Sequence, residues 1–593
     1  MHVVTFYSFK GGVGRTLALA NVALELVRRG RRVLVVDFDL EAPGLTTLPA
    51  FSAAQGRVGI VDFVDDYRRS KVAPEVRNYL SKCDTVLDGQ LWFMSAGKND
   101  PGYASRLASI DWRKLYDDED GYLLFEDLKA QWRQFAQPDY VLIDSRTGHT
   151  DVAGVCTRHL ADAIVALFLP NAPNILGLGR VVSEIRSEGR HRKHPQEIYF
   201  VASNVPRLDD ENEILSAQMT EARAVFGTEK FGTIHHYDAL ALLQQSVFVI
   251  DRRKTLLARE YIELVDTVVR GNLDDREGAL SLLRESLNRQ SRTNLSDEVL
   301  DRIAEGHSKD GEVLGALGRV FESRGDYASA FPYYSRAIDA GSDVAEMRVR
   351  RATTHRILNR PTDAVADLRE VASRPAVDES NYARALLSLA ELDPAWFGQA
   401  PLRALSEGVQ LRVAQALMGQ REHLGIAERF LRAQPNASID PSGQLVLCLI
   451  GQRKFQEALE LIRHQDDFTG IAAEFNQAIC IWGVTGTPPV ERFETVLAMH
   501  SSSGKKGANY FQCMAMVAIV LNRQELKADF LREARRWIRE LPRKTFSSWR
   551  YLELNVDQFV HDLDEIEAFD LRVGRPPFLP EQEELFPVLR DSR

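Results

Sequence analysis

Cysteine is scarce in this sequence, and its few copies form no recognisable pattern. The 593 residues include five cysteines, which are Cys83, Cys156, Cys448, Cys480 and Cys513. None of them has the CxxC or Cys/His spacing of a zinc site, and their scatter suggests no disulfide framework. We therefore expect reduced thiols and a cytoplasmic protein.

Long apolar runs and an excess of positive charge are also missing. No run is apolar for long enough to span a bilayer, and the opening segment MHVVTFYSFKGG lacks the charged and apolar stretches of a signal peptide. We therefore expect neither secretion nor a membrane span. The net charge of −10 argues against nucleic acid as the main partner, because phosphate binding needs a basic face.

The composition itself is that of an ordinary soluble protein. Hydrophobic residues make up 45% of the chain and charged residues 27%, which is the balance found in folded globular domains. A chain of 593 residues is too long for a single hydrophobic core. We expect about two to four domains.

The first 270 residues have the pattern of one α/β domain. An apolar run at 3–9 leads into a glycine-rich loop, and a helical pattern begins at Leu17. The apolar run at 31–37 is typical of a parallel strand covered on both faces, and it completes a βαβ unit. Further predicted strands lie at 91–94, 140–144, 163–168 and 198–202. We expect a mostly parallel sheet flanked by helices.

Helical patterns take over after residue 270, and part of them repeats. Residues 271–310 predict a helical linker. In 311–375, a period of about 34 residues matches the tetratricopeptide (TPR) pattern, in which small residues let two helices approach. The matching positions are Leu317, Gly318, Phe321, Ala330, Tyr334 and Ala337, followed by Ala352, Ala364, Leu368 and Val371. Residues 376–570 predict TPR-like repeats, with an irregular helical bundle as the alternative, and residues 571–593 predict an extended or capping tail.

The glycine-rich loop at 9–16, FKGGVGRT, carries the chemistry of the first domain. Glycines let a backbone wrap a phosphate, while the loop amides and the following helix N-terminus supply partial positive charge. The Thr16 hydroxyl can bind Mg²⁺. The expected phosphate-binding residues are Lys10, Gly11, Gly12, Val13, Gly14, Arg15 and Thr16.

This loop resembles the KGGxGK[ST] motif of the MinD/ParA family of deviant Walker A ATPases. The resemblance covers about the first 270 residues and implies a P-loop fold that binds ATP with Mg²⁺. Lys10 matches the signature lysine, which in the family reaches the phosphates of the partner subunit. The resemblance therefore implies a homodimer assembled around two ATP molecules.

Three aspartates fall at further positions of the family pattern. Asp37 and Asp39 resemble its DxD switch I, which implies a Mg²⁺-linked role for Asp37 and an aspartate that orients the attacking water at Asp39. Asp144 ends a run that resembles Walker B and would hold Mg²⁺ together with Thr16 and Asp37. Residues 145–148 occupy the switch II position. Taken alone, each aspartate is also consistent with a helix cap or a turn.

Asn204, with Pro206 after it, resembles the loop on the adenine side of the family's site. An Asn amide can pair with N6 and N7 of adenine, which favours ATP over GTP. The alternative is an ordinary turn Asn near a proline. His235 and His236 lie in a segment that resembles a late family motif, and we expect structural roles for both.

The sequence departs from the family at Arg15, where a lysine normally contacts the β- and γ-phosphates. Arginine is larger, planar and always charged, so phosphate binding is better supported than hydrolysis. Arg146 is a candidate for the charge that stabilises phosphoryl transfer. Its alternative role is a salt bridge to Asp37, Asp39 or another acid.

The fold class implied is an α/β P-loop NTPase domain followed by an all-α TPR-like helical-repeat domain. KGGVGR, with 37–45 and 143–148, resembles bacterial ATPases fused to TPR repeats in conflict or signalling gene clusters. We expect an ATP-dependent switch with weak or partner-stimulated hydrolysis and a protein partner on the repeats. The alternatives are a nucleotide-gated scaffold with little hydrolysis, and repeats that only dimerise or brace the chain. DNA or membrane positioning is disfavoured, because the chain is acidic and 261–270 has few basic residues.

Overall fold

The chain forms two compact units, Met1–Lys309 and Asp310–Arg593. The computed structural model describes residues 1–189, 195–207, 212–241, 246–288, 294–400, 402–435, 443–463, 470–502, 506–540 and 545–568. The predicted tail at 571–593 lies outside the described residues.

The first unit is built on an eight-stranded sheet in the order β3-β4-β2-β5-β1-β6-β7-β8. Its strands are β1 His2–Ser8, β2 Arg32–Phe38, β3 Ser81–Cys83, β4 Gln90–Met94, β5 Tyr140–Ser145, β6 Ala163–Phe168, β7 Glu197–Val205 and β8 Gly232–His235. Among these strands only β3 and β4 pair antiparallel, and every other pairing is parallel. The prediction of a mostly parallel sheet is confirmed.

Two strands of this sheet were not among the predicted ones. β3 has three residues, two of them polar, and it pairs only with β4 at one edge. β8 is a four-residue strand at the opposite edge. Short edge strands bury few side chains, so they leave little hydrophobic periodicity to read.

Helices cover both faces of the sheet. They are α1 Arg15–Arg28, α2 Ile60–Ser70, α3 Tyr103–Ser109, α4 Trp112–Asp118, α5 Gly121–Phe135, α6 Asp151–Gly154, α7 Ala172–Gly189, α8 Asn212–Phe226, α9 Phe248–Asp251, α10 Leu256–Gly271, α11 Arg276–Leu287 and α12 Asp297–Gly306. One core joins the sheet to α1 and α10, and a second joins its other face to α2 and α5. Arg31 pairs with Asp275 at 2.8 Å, which ties the start of α11 to this unit.

Among the described residues, the second unit is helical apart from one short hairpin. Its helices are α13 Gly311–Ser323, α14 Tyr327–Asp339, α15 Val344–Ile357, α16 Pro361–Ser373, α17 Glu379–Leu392, α18 Pro394–Phe397, α19 Glu407–Leu417, α20 Leu424–Arg432, α21 Gln444–Gly451, α22 Phe455–Arg463, α23 Ile471–Thr485, α24 Val490–Ala498, α25 Ala508–Val520, α26 Gln524–Glu540 and α27 Val556–Ala568. The hairpin pairs β9 Thr545–Ser547 with β10 Glu553–Asn555. The fold class is confirmed, and this hairpin, which has no counterpart in the sequence prediction, is its one exception among the described residues.

Small residues let α13 and α14 approach closely. A Cβ built on Gly318 would lie 2.5 Å from the Tyr334 ring, so no larger residue fits without movement. Ala330, Tyr334 and Ala337 are fully buried in the same contact. The spacing of small and large residues therefore matches the packing in this pair, and the assignment to TPR repeats stays a prediction.

Among the helices that the structure describes, none is both long enough and apolar enough to cross a membrane.

Candidate functional site

The glycine-rich loop joins the end of β1 to the first turn of α1. Gly12 and Gly14 adopt φ angles of +78° and +76°, a left-handed conformation that costs other residues free energy. Gly14 is the residue that precedes α1, so the free N–H groups of the first helical turn face the loop. A Cβ added at Gly11 or Gly12 would meet nothing within 4 Å. The loop therefore borders open space, as a phosphate cradle requires.

A neighbouring strand fixes the far side of the loop. Ser203, near the end of β7, is buried and donates its hydroxyl hydrogen to the Val13 carbonyl at 2.7 Å. Asn204 follows it directly, so the same strand end holds the loop and presents the predicted adenine-side residue.

The sheet brings two of the predicted carboxylates together. β2 and β5 are parallel neighbours, and their register pairs Asp37 with Asp144. Both side chains are buried. The Thr16 hydroxyl donates to Asp144 Oδ2 at 2.7 Å, so the predicted metal residues gather at the carboxyl ends of these strands.

Arg15 lies between two of these acids. Its Nε is 2.5 Å from Asp144 Oδ1, and its Nη2 is 2.6 Å from Asp39 Oδ2. The side chain is only 6% exposed. Sequence reasoning missed these ion pairs, because the partners lie 24 and 129 positions away along the chain.

Burial and charge set the protonation of this cluster. Burial raises the pKa of the Asp37 carboxyl well above its usual range, and the nearby charge of Asp144 raises that pKa further. Burial acts to lower the pKa of the Arg15 guanidinium, but the charges of Asp144 and Asp39 outweigh it, so this pKa is raised. Arg15 therefore remains a fixed cation, and the folded state favours the protonated form of Asp37.

The two other candidate catalytic residues lie nearer the surface. Lys10 is exposed on the loop. Arg146, in the segment after β5, pairs through Nη1 with Glu41 Oε1 at 2.5 Å. This contact matches the second role predicted for Arg146, which is a salt bridge to another acidic residue.

Asn204 is held in an unusual conformation next to a histidine. Its φ is +57°, and its Oδ1 lies 2.5 Å from His236 Nδ1. His236 Nε2 is 3.1 Å from Asp238 Oδ1, while Pro206 is exposed. A proton on His236 Nδ1 would be donated to Asn204 Oδ1 and would leave the Asn204 amide N–H groups available. The sequence offered no sign of this contact, since His236 lies on a different strand end.

The residues present fit a magnesium ion bound together with phosphates. Thr16, Asp37 and Asp144 supply the hydroxyl and carboxylate oxygens that Mg²⁺ prefers. Asp37 Oδ2 is buried and has no hydrogen-bond partner in the described structure. Within the described ranges, no group of three or more His, Cys, Asp or Glu side chains is arranged to hold a metal ion alone. Mg²⁺ typically keeps waters and phosphate oxygens, so a sparse protein set is suitable.

A strand, a glycine loop at a helix N-terminus, and carboxylates at the ends of adjacent parallel strands together define a P-loop nucleotide-binding domain. Residues 4–246 match the family model described as the CobQ/CobB/MinD/ParA nucleotide binding domain. Residues 4–246 are therefore similar to the nucleotide-binding domains of this family.

Individual relatives are similar to a part of the chain. The septum site-determining protein MinD of Helicobacter pylori is 26% identical over 219 residues, which are 36% of this chain and 72% of that protein. An ATP-binding protein of Methanocaldococcus jannaschii is 32% identical over 73 residues, which are 12% of this chain and 27% of that protein. The solved MinD cell division protein of Aquifex aeolicus is 21% identical, with a TM-score of 0.34, over 45% of this chain and 97% of its own.

Proposed function

We propose that residues 1–270 bind ATP with Mg²⁺ and act as a nucleotide switch. The observation that carries this proposal is the left-handed glycine loop at the N-terminus of α1, with Thr16 hydrogen-bonded to Asp144. The match of residues 4–246 to a nucleotide-binding family supports it. The contact between Asn204 and His236 supports adenine as the base.

The roles of the residues follow from their positions. The backbone of 10–16 would bind the phosphates, and Thr16, Asp37 and Asp144 would hold Mg²⁺, which neutralises phosphate charge. Arg15 contacts Asp144 through Nε and Asp39 through Nη2, and its buried Nη1 has no hydrogen-bond partner among the described residues. We propose that the guanidinium donates to a phosphate through Nη1 and exchanges its contacts with the two acids for phosphate oxygens. Release of Asp39 would make that carboxylate available to orient a water molecule.

An exposed Lys10 supports assembly of two copies around nucleotide. We propose that Lys10 reaches the phosphates bound by a second copy, as the family resemblance implies, and that Arg146 adds positive charge near the reacting phosphate. Arg146 would first have to leave Glu41.

A second candidate function is a nucleotide-gated scaffold with little hydrolysis. The specific observation in its favour is the buried contact of Arg15 with Asp39, which engages the proposed water-orienting carboxylate. In this case nucleotide would bind while turnover stays low.

The helices of the second unit are proposed to bind a protein partner. Residues 271–310 would be a helical linker, 311–375 TPR repeats, 376–570 TPR-like repeats and 571–593 a cap. Stacked helix pairs present an extended surface, which is a fold-level argument for partner binding. The KGGVGR resemblance supports a role in a bacterial defence or signalling system.

The test is phosphate release from ATP with Mg²⁺ at several protein concentrations. We compare the wild type with Lys10→Ala, Asp39→Ala and Arg15→Lys, and use Lys230→Ala as a control for loss of an exposed lysine. The switch predicts turnover per chain that rises with concentration and falls in Lys10→Ala and Asp39→Ala but not in Lys230→Ala.

Two other results would change the conclusion. Nucleotide binding without turnover at any concentration, combined with turnover in Arg15→Lys, would establish the scaffold. Absence of nucleotide binding to the wild type would contradict both functions.

A further inference from the structure

The second unit contains a cavity of about 690 Å³. Its walls come mainly from α19, α21, α23 and α25, which are alternate helices of the stack, with Val496 of α24 and the β9–β10 hairpin. Pockets that bind small molecules typically enclose about 300–1,000 Å³. The volume is therefore in the range of a small-molecule site.

The hairpin closes one side of this space and is firmly attached. The Trp549 backbone N–H donates to Gln512 Oε1 at 2.9 Å, and Gln512 Nε2 donates to Asp562 Oδ2 at 3.0 Å. The Trp549 ring meets the Phe475 ring edge to face, with centroids 6.2 Å apart. The hairpin thus forms one wall of a pocket between the helices that stays partly open to solvent.

The lining has an uncharged and aromatic character. Among the described residues that line the cavity there is no Asp, Glu, Lys, Arg or His. Phe475, Tyr510, Trp549 and Tyr551 supply aromatic surface. A charged molecule would lose its hydration here without meeting an opposite charge, which is costly. The described lining residues therefore favour an uncharged occupant, and flat rings suit it because they stack on aromatic walls.

Two amide side chains determine which hydrogen-bonding groups a ligand of this site should carry. Asn476 is 8% exposed, and its Oδ1 accepts a hydrogen bond from the Tyr551 hydroxyl at 3.1 Å. Asn509 Oδ1 accepts from the Cys513 thiol at 3.4 Å. Because both oxygens are engaged, the amide nitrogens are the groups left to donate, and within the described residues neither has a hydrogen-bond partner. A ligand that matches them carries acceptors.

We propose that this cavity binds an uncharged, planar aromatic molecule whose carbonyl or ring-nitrogen atoms accept hydrogen bonds from Asn476 and Asn509. This second site lies in the helical unit, and its chemistry differs from that of the nucleotide loop, since its described lining residues include no cation for a phosphate. The molecule it takes is a small organic compound rather than a peptide, because the volume of about 690 Å³ is that of a small-molecule pocket.

The test uses the full-length protein and the dye Nile red, which is uncharged and planar and carries carbonyl and ring-nitrogen acceptors. We expect saturable binding of one dye per chain. Resorufin, an anionic dye of related ring structure, should bind at least about tenfold more weakly, because the lining gives its charge no partner. Equal affinity for the two dyes would overturn the proposal.

Variants show whether the dye occupies this cavity. Ala472 is an exposed residue of the lining, and Ala472→Trp should weaken Nile red binding at least about tenfold by filling the space. Ala416→Trp is the matched control, since Ala416 is exposed on α19 and is not part of the lining. Equal affinity in the two variants would overturn the proposal, provided that their melting curves match.

The hydrogen-bond donor is tested separately. Asn476→Asp keeps the oxygen that accepts from Tyr551 but removes the amide donor and adds a charge, so Nile red affinity should fall by about fivefold or more. Unchanged affinity would contradict the donor role. Displacement of the dye by an uncharged apolar pentapeptide at a lower concentration than by the aromatic compound lumichrome would show a peptide site and overturn the assignment.

Discussion

At the residue scale, Arg15 decides the electrostatics of the nucleotide loop. A guanidinium can donate to two carboxylates at once, whereas a lysine ammonium is a single point of charge. Arg15 uses this geometry to contact Asp144 and Asp39 simultaneously. The arginine is therefore an internal counter-ion for two acids to which the family resemblance gives roles with magnesium and water.

Asp37 predicts a measurable dependence of stability on pH. Its pKa is raised by burial and by Asp144, so the folded state favours the protonated form. The stability that this proton contributes is present at low pH and is lost as pH rises from the ordinary aspartate range through the raised pKa. Asp37→Asn should therefore unfold at a higher temperature at neutral pH, by about 2–4 °C for each 1 kcal/mol gained.

This expectation is checked by measuring thermal unfolding of the wild type and of Asp37→Asn at several pH values from about 5 to about 8. The difference between the two proteins should grow as pH rises. A difference that is constant or shrinks with pH would show that Asp37 is ionised without cost.

The contacts of Asn204 predict that this residue makes the site select adenine over guanine. With its oxygen facing His236, the amide nitrogen is the donor available to adenine N7 or another ring acceptor. Asn204→Ala should weaken binding of fluorescent ATP about tenfold, which is about 1.4 kcal/mol, and binding of fluorescent GTP much less. His236→Ala should weaken ATP binding more than GTP binding as well, but by a smaller factor than Asn204→Ala does. Equal losses for both nucleotides would contradict base selection by Asn204.

At the scale of elements, the conformation of the loop predicts the effect of single methyl groups. Gly14→Ala places a Cβ at φ +76° and should cost about 1–2 kcal/mol, although a Cβ there meets only Ser203 Oγ at 3.9 Å. Gly11→Ala is the matched control, because Gly11 is outside the positive-φ residues and has open space around it. We expect lower thermal stability and weaker ATP binding in Gly14→Ala than in Gly11→Ala, and the same result for both would refute the argument.

Much of the first unit could be predicted at this scale, and the reasons are physical. Buried strands such as β2 and β5 are continuous apolar runs, and parallel neighbours place their carboxyl ends together, which is how Asp37 and Asp144 meet. The short strands β3 and β8 and the β9–β10 hairpin lack such runs. The contacts of Arg15 with Asp39 and Asp144 could not be predicted, because no local pattern encodes them.

At the scale of the whole molecule, the proposed switch predicts a change in mass. The wild type with ATP and Mg²⁺ should approach twice the monomer mass in light scattering, and Lys10→Ala should stay monomeric while still binding ATP. Lys230→Ala should behave as the wild type. Dimerisation of Lys10→Ala at the same ATP concentration would show that this lysine is not part of the contact.

The ion pairs of Arg15 also bear on how the protein responds to free magnesium. A site that already contains a tethered cation gains little from a second one, so Mg²⁺ alone should stabilise the protein weakly and chelators should cost it little. Under the proposed function, nucleotide would change this balance, because its phosphates would offer Arg15 an alternative anion and thereby release Asp144. In linkage terms, Mg²⁺ and ATP should bind with positive cooperativity, each raising the affinity for the other.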